Sequence, residues 1–271
     1  MPYLTLNGHK LYYSDEGAGP EIIVFSHGLL FSGEMFEAQV AALKSQYRCI
    51  TFDHRGQGKS AVSDTGYDMD TLAEDAAALI TELKIEPCHF VGLSMGGFVG
   101  MRLAIHKPEL LKSLTLIETT ADPEPKENHA RYGFLNLVAR WFGLGVVVGK
   151  VMPIMFSQSF LNDDTKAAER KRWRKAIAKG DRHGVTRAVR GVIERAGVYE
   201  ELSRISLPTL IMVGEEDVAT TPDKSDRMHA AIAGSDLIPI PRAGHSSTIE
   251  QPEIVTDAIR AFLAGSLSKK A

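Results

Sequence analysis

With 271 residues, of which 44% are hydrophobic and 24% charged, the chain has room for one large α/β domain or two small ones and the ordinary make-up of a globular protein. A formal net charge of -3 argues against general nucleic-acid binding, which would show as a basic excess or stripe. Two cysteines, Cys49 and Cys88, are too few for a disulfide framework, and no uninterrupted apolar run reaches the roughly 18 residues of a membrane span.

Tyr3 to Leu6 and Leu11 to Ser14 alternate in polarity around Asn7-Gly8, a strong hairpin signal, so two antiparallel strands are expected first. The first residues lack the charged start and apolar stretch of a signal peptide, which reads as a cytoplasmic protein. A strand and helix alternation follows: Ile22 to Ser26 as strand, Gly33 to Ser45 as helix, Cys49 to Phe52 as strand, Leu72 to Leu83 as helix. It continues with His89 to Gly92 as strand, Met95 to His106 as helix ending before Pro108, and Leu114 to Ile117 as strand. Strand runs apolar on both faces and separated by helices imply a parallel sheet covered on both sides. Both cysteines fall in such runs and are expected to be buried, reduced thiols.

From Ala121 to Ser203 the rhythm breaks. Asp122-Pro123-Glu124-Pro125 marks a linker, and helix-like segments such as Phe134 to Phe142 and Lys166 to Lys179 follow without a convincing strand. The basic run around Trp173 (Arg170, Lys171, Arg172, Arg174, Lys175) reads as a solvated helix face. Alternation resumes with Thr209 to Val213, Ser225 to Ile232, Leu237 to Ile240 and Ile254 to Leu263, and Ser266 to Ala271 are expected to fray.

Gly92-Leu93-Ser94-Met95-Gly96 matches Gly-x-Ser-x-Gly between a predicted strand and helix, the setting of a serine nucleophile on a sharp turn. Glycines flank such a serine because a Cβ would collide where helix and strand pack closely. A serine hydroxyl is a weak nucleophile and needs a base and a third group to orient that base. Asp217 follows the strand ending at Val213, and His245 follows the next strand, so both lie in loops at one sheet edge, in the chain order Ser, Asp, His. Glu216 and Asp223 are the competing acids, and His27 is expected to shape a loop.

Ser26-His27-Gly28, the stretch from Asp53 to Ser60, the serine motif with Gly97, and Gly214 to Asp217 with Gly244-His245 together resemble the α/β-hydrolase family over nearly the whole chain. The resemblance implies an eight-stranded, mostly parallel sheet flanked by helices, with residues 1–120 and 204–271 as the core and 121–203 as a helical cap inserted after the sixth strand. It implies a catalytic triad of Ser94, Asp217 and His245. Attack by Ser94 would place negative charge on a carbonyl oxygen, for which the N–H groups of Met95 and, by similarity to the family, Leu29 would form an oxyanion hole.

Two other patterns fail. Gly56-Gln57-Gly58-Lys59-Ser60 lacks the first glycine of a phosphate-binding loop, where Asp53 stands. Gly56-x-Gly58-x-x-Ala61 runs into the loop-like Ser63 to Gly66 instead of a helix, unlike a dinucleotide fingerprint. No metal-ligand spacing is visible, and no cofactor is expected.

Serine at position 94 favours acyl transfer, since relatives that cleave epoxides or carbon-halogen bonds use aspartate there. Phe31, Trp141, Met155 and Val218 are the expected substrate contacts, beside Phe142, Met152, Ile154 and Phe156 as further apolar groups of the cap. The expected partner is a small ester or lactone with an apolar acyl part, with no nucleic acid and no membrane. The chain is similar to small esterases and lactonases, including enol-lactonases and N-acyl-homoserine lactonases. Cofactor-free perhydrolases or haloperoxidases and carbon-carbon bond hydrolases share the triad. A slow ligand receptor of this fold is the alternative of another class.

Overall fold

The computed structural model describes residues 2–265. Eight strands form one sheet: β1 (Tyr3–Leu6), β2 (His9–Glu16), β3 (Glu21–Ser26), β4 (Tyr47–Phe52), β5 (Cys88–Leu93), β6 (Leu111–Ile117), β7 (Thr209–Gly214) and β8 (Asp236–Ile240). Their order is β1-β2-β4-β3-β5-β6-β7-β8. The first hairpin turns at Asn7-Gly8, both at positive φ, and pairs Leu6 with His9. β2 is antiparallel to β4, and every later pairing is parallel. This is the expected architecture of an eight-stranded, mostly parallel α/β sheet.

Alternate residues of the central strands feed two separate cores, which explains their unbroken apolar runs. Val24, Ile50, Phe90 and Ile211 pack with α2 (Met69–Glu82) and α3 (Met95–His106). Ile23, Phe25, Val91 and Met212 pack on the other face with α1 (Glu37–Leu43) and α11 (Pro252–Leu263). α2 starts at Asp68, whose side chain accepts from the Thr71 N–H as an N-cap. Cys49 and Cys88 are free and buried, and burial pushes both thiols up to about 12, leaving them inert at neutral pH.

Between β6 and β7 the chain runs through α4 (Lys126–Phe142), α5 (Leu144–Met155), α6 (Gln158–Leu161), α7 (Ala167–Ala178) and α8 (Arg182–Ile193). Two long helices here, α5 and α8, lie outside the helix-like segments named from the sequence, although α8 carries Val185, Ala188, Val189 and Val192 at helical spacing. α5 is apolar nearly all round and carries Gly145, Gly149 and Pro153, signals that read as breakers in a sequence; Val148, Met152 and Met155 nevertheless bury against the second core. α8 is capped by Asp181, which accepts from the His183 and Gly184 N–H groups. After β7 come α9 (Pro222–Ala231), β8 and the short α10 (Ser247–Glu250). The expectation of fraying at Ser266 to Ala271 lies outside the described residues.

Candidate active site

All the loops that carry chemistry leave the carboxyl ends of β3 to β8, the sheet edge where parallel strands present their following turns. Ser94 follows β5 and caps α3 at φ 53 and ψ -112, a conformation unfavourable for any residue with a Cβ. It is held there by its own N–H donating to Ile117 O at 2.8 Å and by the Thr119 hydroxyl donating to Ser94 O at 2.9 Å. The turn closes only because position 96 is glycine: a Cβ there would stand 2.0 Å from Ser26 O.

The Ser94 hydroxyl stands 2.8 Å from His245 Nε2, and His245 Nδ1 stands 2.8 Å from Asp217 Oδ2. The carboxylate accepts only, so Nδ1 carries the proton and Nε2 is left as the acceptor facing serine. All three side chains are buried. Asp217 is fixed by the N–H groups of Ala219 (2.7 Å) and Thr220 (3.1 Å) and by the Thr220 hydroxyl (2.8 Å). Burial alone would raise its carboxyl, but the His245 ring and hydrogen bonds from His245 and Thr220 outweigh that and hold it below the usual range. The competing acids are engaged elsewhere: Glu216 accepts from the Ser159 N–H at 3.0 Å, and Asp223 takes the Thr221 hydroxyl.

Glu118, at the end of β6, is a residue that motif reading overlooks. It is fully buried and accepts the Gly214 N–H on both carboxyl oxygens (2.9 and 2.8 Å). Burial pushes its carboxyl well above the usual carboxylate range, and the neighbouring Asp217 charge pushes it further. The only sequence trace is an acid placed directly after an apolar strand.

The loop after β3 brings Leu29 to the same place. Among the described residues, neither the Leu29 N–H nor the Met95 N–H has an intramolecular acceptor, whereas Leu30 N donates to Gln57 Oε1 at 2.8 Å. Gln57 also reaches Met95 Sδ, so one buried amide braces both segments. His27 plays a structural part: its Nδ1 donates to Gly28 O at 2.7 Å and its Nε2 accepts the His54 N–H at 2.8 Å, while burial lowers its pKa and keeps the ring neutral.

A cavity of about 140 Å³ opens beside Ser94 and His245, with walls that are mostly apolar. Phe31 and Met155 line it, and Phe31 is held edge-on by Phe156 and Trp173. Trp141 and Val218 do not. Trp141 is 70% exposed on the outer side of α4, whose inner side sends Leu135 and Ala139 to the cavity; Val218 is 65% exposed, and the following Ala219 and Thr220 take the lining positions. The sequence reading also missed the polar part of the wall. Tyr132, Asn136 and the buried ion pair of Glu124 with Arg195 (2.8 Å) stand there, with the Arg195 guanidinium over the Phe98 ring. Among the described residues no group of three or more His, Cys, Asp and Glu is arranged to hold a metal ion.

The chain is 34% identical over 239 residues to 3-oxoadipate enol-lactonase 1 of Acinetobacter baylyi, covering 87% of this chain and 86% of that protein. The enol-lactonase of Burkholderia xenovorans LB400 superposes with a TM-score of 0.91 at 28% identity, over 97% of this chain and 100% of that one. A thermophilic esterase from Thermogutta terrifontis superposes with a TM-score of 0.90 at 30% identity, over 97% and 98% of the two chains. A model of the alpha/beta hydrolase family matches residues 23–258, from the third strand into the last helix, and with these relatives it establishes that the chain belongs to the alpha/beta hydrolase family.

Proposed function

We propose that this protein is a serine hydrolase that cleaves carboxylic esters or lactones through an acyl-enzyme on Ser94. The observation that carries the reading is the continuous hydrogen-bonded line from Ser94 through His245 to Asp217, at 2.8 Å for each link, opening on a largely apolar cavity. His245 Nε2 takes the Ser94 proton as Oγ attacks the carbonyl carbon, and Asp217 holds the imidazole in the required tautomer and balances its charge. The Leu29 and Met95 N–H groups receive the developing oxyanion, each contributing about 3 to 4 kcal/mol if they behave as comparable donors do. Collapse expels the alkoxide, which leaves with the proton from His245. Water then attacks the acyl-enzyme with the same histidine as base and releases the acid. For a lactone the alcohol and acid leave as one hydroxy acid.

The helices between β6 and β7 act in this reading as a cap that shapes the substrate site. The enol-lactonase relatives favour a lactone, and the apolar walls suit an N-acyl-homoserine lactone as a specific candidate. The test is a panel of p-nitrophenyl esters and short- and long-chain homoserine lactones with wild type and Ser94→Ala. Loss of turnover by about 10⁴-fold or more in the folded variant is expected. Undiminished turnover overturns the assignment, and peroxide-dependent halogenation without ester or lactone hydrolysis replaces it with a perhydrolase.

A further inference from the structure

The helices between β6 and β7 differ from the rest of the chain in charge. Residues 126–193 hold 14 Lys and Arg against 5 Asp and Glu, a formal +9, whereas the remainder holds 17 against 29, a formal -12. The net charge of -3 hides this division. On the same helices lies a strip of large apolar side chains in water: Phe134, Leu137 and Trp141 at helical spacing on the outer side of α4, then Phe142 and, on α5, Val146, each between 56% and 73% exposed. Among the described residues they make up five of the eight exposed large hydrophobics. A strip of this kind on a protein surface marks an interaction site.

Cations border the strip. Arg182 donates to Trp141 O at 3.3 Å, Arg174 reaches beside Gly149, one turn from Val146, and Lys150 is exposed on the next turn of α5. Aromatic and aliphatic groups ringed by arginine and lysine match a phospholipid surface, where the apolar groups enter the headgroup boundary and the cations meet anionic lipid. A second copy of the chain is a poorer occupant. A two-fold dimer through this face would bring Lys150, Arg174 and Arg182 of one copy toward the same cations of the other. We infer that the outer face of α4 and α5 seats the protein on an anionic membrane surface. No helix among the described residues is long and apolar enough to cross a membrane, and surface seating needs none. The inner side of the same two helices lines the cavity through Leu135, Ala139 and Val147, so the seat and the substrate site share one support.

Sedimentation of the whole protein with vesicles tests the inference, comparing phosphatidylglycerol/phosphatidylcholine mixtures with pure phosphatidylcholine, at low salt and in 0.5 M salt. Wild type should partition to the anionic vesicles and leave them in salt. Phe134→Asp with Val146→Asp, and separately Lys150→Glu with Arg174→Glu, should each lower the bound fraction by about tenfold or more while leaving hydrolysis of a soluble ester unchanged. Failure to bind anionic vesicles overturns the inference. So does a concentration-dependent dimer in analytical ultracentrifugation that the Phe134→Asp, Val146→Asp variant dissolves, which would give the face to a second copy.

Discussion

Glu118 and Asp217 are buried carboxyls at the ends of adjacent parallel strands, and the charge of Asp217 acts on Glu118. Asp217, which faces His245 and three other donors, ionises first, and Glu118 beside that charge holds its proton to higher pH. A carboxyl whose folded pKa lies above its unfolded value contributes stability that is fully present below the unfolded pKa and is lost as pH rises through the folded one. Glu118 therefore lowers stability on the alkaline side. Glu118→Gln keeps the shape of the neutral acid and cannot ionise, so its unfolding free energy, from urea titrations between pH 5 and 9, should fall less with rising pH than that of wild type. Parallel curves would place the proton elsewhere.

Asp217 has the opposite linkage. Its folded pKa lies below the usual value, so its contribution is present above the unfolded pKa and is lost only as pH falls through the folded one. Asp217→Asn should preserve the hydrogen-bonded shape but favour the wrong histidine tautomer, lowering kcat by about 10⁴-fold with KM little changed. Steady-state kinetics on a chromogenic ester decide this, and a variant within tenfold of wild type would return Glu216 or Glu118 to consideration as the orienting acid.

Gln57 acts at a distance from the reacting atoms. Its amide holds the Leu30 N–H and touches Met95, so it positions the two segments whose N–H groups we assign to the oxyanion. Gln57→Ala should lower kcat by about ten- to a hundredfold, less than deletion of a donor itself, and leave KM nearly unchanged. Gln57→Glu, which restores the acceptor to Leu30, should recover part of the loss. A purely structural part would show instead as reduced thermal stability with unchanged kcat.

The cavity wall predicts a preference for uncharged substrates. Among the described residues Arg195 is the single Lys or Arg lining it, and Glu124 already neutralises that charge at 2.8 Å. Wild type should accordingly hydrolyse a neutral lactone better than one bearing a free carboxylate. Glu124→Gln unpairs Arg195 and should shift the kcat/KM ratio toward the carboxylated lactone by about tenfold, the worth of one hydrogen bond to a charged group. The double variant Glu124→Gln, Arg195→Gln should not show that shift. An unchanged ratio in the single variant would mean that the substrate does not reach this part of the wall.

Much of this protein is legible in its sequence because the information is local. Strand runs apolar on both faces, the hairpin at Asn7-Gly8 and the Gly92 to Gly97 turn each follow from the conformational limits of the residues present, and the loops after β7 and β8 had to share an edge once the sheet was parallel. Ser94, Asp217 and His245 share that edge because each follows the carboxyl end of a parallel strand. Tertiary structure alone decided what faces what. Trp141 and Val218 are apolar and near the site in sequence, yet helix phase and loop direction turn them to water, while the polar Tyr132, Glu124 and Arg195 turn inward. Glu118 meets Asp217 only because β6 and β7 are hydrogen-bonded neighbours, 99 residues of separation notwithstanding. The charge division lies in the sequence itself, in the basic stretch 126–193, whereas only the folded arrangement shows that Phe134, Leu137, Trp141, Phe142 and Val146 of that stretch face water.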